Sequence, residues 1–149
     1  MAREHTTEMT VLVTPDMSNF GGKMHGGELL KLLDKVAYTC AMRFSGKYVV
    51  TLSVDQVLFK EPVAIGELVS FKAAVNYTGR TSMEVGIRVT AENLQEGTVR
   101  HTNSCYFTMV AVDADSRPSP VEALVPADDE ARRRWREAEQ RRIQRQSAP

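Results

Sequence analysis

The segment Asn19-Phe20-Gly21-Gly22-Lys23-Met24-His25-Gly26-Gly27 places glycines, an amide and an imidazole directly ahead of an apolar, periodic stretch. Glycines at a helix start allow a ligand to approach the backbone closely. The first helical N–H groups have no intrahelical partners, and the helix dipole there favours negative charge. Such a terminus can hold a phosphate, or the oxyanion that develops when a carbonyl is attacked. The segment is not a phosphate-binding P-loop, because the Gly-Lys-Ser/Thr ending is missing. It is not the dinucleotide fingerprint either, because no parallel strand–loop–helix–strand unit surrounds it. A glycine-rich helix start also serves as a plain packing device, and by itself the segment is compatible with both readings.

Asp34 is the second residue with chemical potential. On a helical wheel it falls at the margin of the apolar arc, between the columns of Leu30 and Ala41. A carboxylate there is partly desolvated unless something receives it. One reading is an edge residue paired with Lys31 or Lys35. The other is a carboxylate aimed into a crevice as a base or nucleophile. Distance constrains the second reading. Eight residues separate Asp34 from Gly26, roughly 12 Å along one helix, whereas reacting groups must approach within ~3–3.5 Å. If both features belong to one site, two helices contribute, and a symmetric dimer supplies them as two identical sites.

The positioning elements follow from periodicity. A short strand is expected over Glu8–Val13 and a loop over Pro15–Gly27. A helix is expected from Gly26 or Gly27 to Phe44, because Leu29, Leu30, Leu33, Val36, Ala37, Cys40, Ala41 and Phe44 recur at threes and fours. Ser45-Gly46 ends it. Strands are expected over Tyr48–Lys60, Gly66–Thr78, Ser82–Leu94 and Thr98–Val112. Val69, Phe71, Ala73, Val75 and Tyr77 alternate against polar neighbours, as do Met83, Val85, Ile87, Val89 and Ala91, so one sheet face is covered. Short turns imply antiparallel neighbours. The expectation is an α+β fold: a long central helix against an antiparallel sheet of about five strands.

The chain has 149 residues with 19 basic and 19 acidic side chains. A cancelled charge recruits neither nucleic acid nor anionic lipid, and no apolar run approaches the ~20 residues of a membrane helix. The N-terminus lacks the basic-then-apolar order of a secretory signal. Cys40 and Cys105 lie in apolar stretches without Cys-x-x-Cys, so reduced packed thiols in a cytoplasmic chain are expected, with no metal site. The Pro-rich run Arg117–Pro126 is taken as a boundary between a body at 1–126 and a charged helix or tail at 127–149. That tail holds seven arginines and five acids, with Trp135 and Ile143 as its only large apolar residues. It is expected to be solvated, or at most weakly docked. Asp55 is expected on the strand face of Thr51 and Ser53 in a structural role. His101 and Asn103 are expected to share a face with Cys105 as interior polar groups.

Asn19-x-x-Gly22-x-x-His25-Gly26-Gly27, six residues, then Asp34, resembles the signature of hotdog-fold acyl-CoA thioesterases. Val50-Thr51-Leu52-Ser53-Val54-Asp55, Phe59-Lys60-Glu61-Pro62-Val63, Gly79-Arg80-Thr81-Ser82-Met83 and Arg117-Pro118-Ser119-Pro120 extend the likeness to the branch of cytosolic acyl-CoA hydrolases and their single-domain bacterial relatives. The resemblance covers residues 8–126. It implies a hotdog fold, whose helix is wrapped by a curved sheet. It implies an oligomer built from dimers joined edge to edge, often a hexamer or tetramer. It also implies hydrolysis of acyl-CoA to free acid and coenzyme A. No metal or other cofactor is implied, coenzyme A being part of substrate and product.

Carried over by position, Asp34 is the catalytic carboxylate, and Asn19 of the opposing subunit orients water or thioester. The Gly26 N–H, together with that of Gly27, polarises the carbonyl, and His25 shapes the loop. Arg80, Thr81 and Ser82 would contact the coenzyme A phosphates or pantetheine arm, where Arg can bond phosphate bidentately. Turn chemistry alone also accounts for these three. Lys60 and Arg117 are further candidates. The rival expectation is a non-catalytic acyl-CoA-binding module on the same fold, against which Asp34 argues.

Overall fold

The computed structural model describes residues 3–59 and 61–147. Strand β1 (Thr6–Leu12) and a 3-10 turn at Pro15–Met17 lead into helix α1 (Gly26–Ser45). Strands β2 (Tyr48–Asp55), β3 (Leu68–Thr78), β4 (Ser82–Asn93) and β5 (Thr98–Val112) follow, and then helix α2 (Asp129–Ser147). The strands form one sheet in the order β1-β3-β4-β5-β2, every neighbouring pair antiparallel. Short turns make β3, β4 and β5 a meander. The helix comes between β1 and β2 in sequence, and these two strands take opposite edges.

Helix α1 starts on His25 as N-cap and ends on Gly46, whose φ of 68° is left-handed and suits glycine. Leu29, Leu33, Val36, Ala37, Cys40 and Ala41 are buried against the inner sheet face. That face presents Val69, Phe71, Ala73 and Val75 of β3 and Met83, Val85, Ile87, Val89 and Ala91 of β4. Cys105, Phe107, Met109 and Ala111 of β5 complete it. Burial pushes the thiols of Cys40 and Cys105 up to about 11 and about 12.

Three register shifts correct the alternating reading. An extra residue at Asn76 turns Tyr77 to the outer face, opposite Glu84, instead of inward with Val75. A shift between Thr51 and Ser53 leaves Thr51 opposite Met109, on the inner side, but puts Asp55 opposite Tyr106, on the outer side. A third shift seats Asn103 inward, opposite Val89, and pairs His101 with Thr90 on the other face, where it is exposed. Each is the one-residue displacement that a β-bulge introduces. The first long strand also ends at Asp55 rather than Lys60: Gln56, with φ of 62°, turns the chain away. Lys60 lies outside the described residues.

The outer face is covered by α2, more fully than a solvated tail would. Asp128 Oδ1 accepts the Ala131 N–H at 2.8 Å and caps the helix start. The stripe turned to the sheet runs Ala131, Trp135, Ala138, Arg141 and Arg145, a helical spacing that mixes apolar and charged residues. Trp135 packs on Tyr77 with the rings tilted by 56° and centroids 4.7 Å apart. Arg141 donates to both oxygens of Glu84, at 3.0 and 2.6 Å, and lies 3.6 Å over the Tyr106 ring. The Glu84 side chain is only 2% exposed and also accepts from the Asn76 amide. Gly86 makes room for this cluster, since a side chain there would collide with Asn76. Ile143, the other expected anchor, stays exposed.

Candidate active site

The loop before α1 is tied by its own polar groups. Asn19 Oδ1 accepts the N–H of Gly21 at 2.9 Å and of Lys23 at 3.2 Å. Gly22 takes a φ of 78°, and its carbonyl accepts the Ile65 N–H at 3.3 Å. Met24 N–H donates to Val63 at 2.6 Å and His25 N–H to Met17 at 2.7 Å. The glycine loop therefore leans on the 61–66 segment. Glu67 holds that segment in turn: its carboxylate accepts from Arg100 and from the Ala64 N–H at 2.8 Å. The Arg100 hydrogen bond holds the Glu67 carboxyl below its usual range.

His25 Nδ1 accepts the Gly27 N–H at 3.1 Å, which occupies both groups in capping. The Gly26 N–H makes no hydrogen bond among the described residues. The edge of the Phe59 ring lies 3.8 Å from where a side chain at Gly26 would begin. At the N-terminus of a helix of 20 residues, this donor belongs to the positive end of the dipole.

Asp34 lies two turns further along α1. It makes no ion pair with Lys31 or Lys35. Its Oδ1 instead accepts from Thr51 Oγ1 at 2.6 Å, a short charge-assisted bond. Asp34 shares an open, largely apolar depression of about 390 Å³ with Gly27, Leu30, Lys31, Val54 and Phe107. Thr51 thus holds one oxygen of a carboxylate that lines the depression.

The remaining expected residues gather elsewhere. The β3–β4 turn carrying Arg80, Thr81 and Ser82 is tied to Ala111 and Val121 by backbone bonds of 2.9 Å each. Arg117 lies beside it, next to the bridge between Val112 and Pro118. Val112 also pairs with Tyr48, just past the C-terminal end of α1. Within one chain these four residues are thus at the opposite end of a helix about 30 Å long from Asn19, His25, Gly26 and Gly27. Asp34 and Thr51 lie between the two groups.

Sequence reasoning assigned no role to Thr51, Val54, Phe59 or Phe107. For Thr51 there was a signal: it is the only polar residue of Val49–Leu52. Thr51 faces α1 by plain alternation with buried Val49, and what hid it was the bulge after it, which takes Asp55 off the face that the sequence pattern assigned to the two residues in common.

The profile of the thioesterase superfamily matches residues 21–98. Protein VdlD of Helicobacter pylori is 50% identical over 134 residues, covering 90% of this chain and 76% of that protein. The structure of an apo-hexameric acyl-CoA thioesterase superposes with a TM-score of 0.89 at 36% identity, over 97% of this chain and 94% of that one. An acyl-CoA hydrolase from Staphylococcus aureus, solved with butyryl coenzyme A and coenzyme A, superposes with a TM-score of 0.88 at 30% identity, over 95% and 87% of the two chains. The same hydrolase has been solved with alanine replacing an Asp, an Asn or a Thr. With its central helix, five-stranded antiparallel sheet and helix-start loop, this chain belongs to the thioesterase superfamily, as a hotdog-fold enzyme of the acyl-CoA thioesterase family.

Proposed function

We propose that this enzyme hydrolyses acyl-CoA thioesters to carboxylic acid and coenzyme A at sites shared between two subunits. The observation that carries the reading is Asp34, oriented by Thr51 at 2.6 Å and open to an apolar depression. Asp34 takes a proton from water as the oxygen attacks the thioester carbon. The resulting oxyanion is received by the partner's Gly26 N–H, the donor left open at its helix start. Collapse breaks the C–S bond, and the proton passes from Asp34 to the departing thiolate. In the nucleophilic variant the carboxylate attacks first and water then cleaves the anhydride. Thr51 fixes the carboxylate in either route. The Asp, Asn and Thr replaced in the Staphylococcus aureus hydrolase have the sequence spacing of Asp34, Asn19 and Thr51, which supports assigning these three to the site.

The dimer is required because Asp34 and Gly26 of one chain are too far apart to act on one carbonyl. Edge strand β2 exposes Tyr48, Val50, Leu52 and Val54, an apolar edge of the kind that pairs with another copy. A two-fold axis there runs the α1 helices antiparallel. It brings the partner's Gly26 towards Asp34, with Asn19 of the partner subunit orienting the water or thioester. The same inversion carries Arg80, Thr81, Ser82 and Arg117 towards the partner's glycine loop, where they would receive the phosphates of coenzyme A. Assembly of dimers into a hexamer or tetramer, action in the cytoplasm and independence from metal or cofactor complete the reading.

The test is thiol release from acetyl-, butyryl-, palmitoyl- and aryl-acetyl-CoA by wild type and Asp34→Ala. Release lost in the variant is expected. Equal release would overturn the mechanism, and acyl-CoA binding without release from any member would favour a sensor. A mixture of Asn19→Ala and Asp34→Ala chains should regain activity through hybrid dimers, and no recovery on mixing would rule out shared sites.

A further inference from the structure

The loop from Gln56 to Gly66 joins β2 to β3, and arginines from two distant elements grip its two ends. At the exit of β2, Arg145 of α2 donates to Asp55 Oδ2 at 2.9 Å. The next residue, Gln56, has a φ of 62°, a backbone region that costs energy for a residue with a side chain. At the far end, Arg100 of β5 donates to both oxygens of Glu67 and to the Pro62 carbonyl at 2.6 Å. Glu67 also receives the Ala64 N–H. Between the grips, the loop touches the helix start. Phe59 lies against Gly26, Val63 accepts from Met24, and Ile65 donates to Gly22. The direction in which the chain leaves β2 therefore sets where Phe59 lies relative to the Gly26 N–H.

We infer that Arg145, with Arg100 as the opposite anchor, is a positioning residue for the oxyanion-binding helix start, so that docking of the charged C-terminal helix is built into the active site. The inference rests on the proposed role of Gly26. Arg145 does not touch substrate; it acts through Asp55 and the strained Gln56 on Phe59 and the glycine loop. The helix has independent holds on the sheet at Trp135–Tyr77 and Arg141–Glu84. The effect of Arg145 is thereby separable from undocking of α2.

The test compares full-length wild type, Arg145→Ala, Arg145→Lys and Arg100→Lys. Three readouts are used: butyryl-CoA turnover, hydrogen exchange by mass spectrometry, and fluorescence of Trp135, the only tryptophan. For Arg145→Ala the expectation is a kcat lowered about tenfold with KM within about twofold, the pattern of a lost transition-state interaction. Arg145→Lys should recover most of it. Exchange should quicken in segments 57–66 and 22–27 while Trp135 emission stays unchanged. Arg100→Lys, which loses the fork to Glu67 and Pro62, should quicken the same two segments. Wild-type kcat with unchanged exchange at 57–66 would overturn the inference. So would a red shift of Trp135 with faster exchange confined to α2, since Arg145 would then serve only the helix. If no form releases thiol, the proposed reaction falls, and exchange at 57–66 and 22–27 alone decides whether the grip positions the loop.

Discussion

The two faces of the sheet are covered by helices of nearly equal length, 20 and 19 residues, built on opposite principles. Under α1 the contact is largely apolar, and Asp34 meets Thr51 at its open rim. Under α2 the stripe sets two arginines among Ala131, Trp135 and Ala138: Arg141 lies in contact with Glu84 and Tyr106, and Arg145 reaches Asp55. The apolar face gains from every methylene it removes from water. The charged face must recover the desolvation of each ion through a specific partner, and it is fragile to losing one. The inner face thus supplies stability around Asp34, while the outer face supplies a geometrically exacting attachment.

Changes to the two faces should separate function from stability. Asp34→Asn should lower kcat by about 10³-fold or more without moving the urea midpoint, because its carboxylate is exposed at the rim; a coincident fall in midpoint would show that Asp34 also holds the fold. Glu84→Ala should do the reverse. Leaving the Arg141 charge without its buried partner should cost about 3–5 kcal/mol in urea unfolding, and a loss below ~1 kcal/mol would mean that the other contacts of α2 hold it without the Arg141–Glu84 pair. Thr51→Val, which removes one hydrogen bond to a charged group, should lower kcat on the order of tenfold and leave the oligomer intact, as checked by steady-state kinetics and light scattering.

Acid should weaken the loop grip before it weakens the apolar face. The hydrogen bond from Arg100 holds the Glu67 carboxyl below the usual carboxylate value of about 4.5. Its stabilisation is fully present above that value and is lost as pH falls through the lower folded value. Unfolding midpoints followed from pH 6 downward should therefore decline less steeply below about pH 4.5 in Glu67→Gln than in wild type. The smallest effect concerns Cys40 and Cys105. With their thiols pushed up to about 11 and about 12, both should resist labelling by a thiol reagent at pH 8 until the protein is unfolded. Rapid native labelling would show that the inner face opens.

How much was legible follows the same division. The spacing of Leu29, Leu33, Val36, Ala37 and Cys40 specified α1 because a helix buries one stripe, and Gly46 marked its end. Asn19, Gly26 and Asp34 stood out as a constellation through the family resemblance, since residue type and spacing left both the glycine loop and Asp34 with structural alternatives. The period-two reading failed at Tyr77, Asp55 and His101, each just past or at a bulge. A single inserted residue reverses the facing of those that follow, and no residue type announces it. The α2 stripe was missed because arginine reads as solvent-facing in an apolar pattern, although its long side chain packs on Tyr106 while its fork reaches Glu84.

The sequence by itself determined the long apolar helix, the antiparallel meander, the glycine-rich helix start and the carboxylate two turns along. Local periodicity and turn chemistry are properties of neighbouring residues. Only the tertiary structure decided that Thr51 faces Asp34, that His25 occupies the Gly27 N–H while that of Gly26 has no partner among the described residues, and that Arg145 reaches Asp55. Each of these joins residues from different elements, or depends on a bulge. Their geometry is fixed by how the strands register and how two helices settle on opposite faces of one sheet.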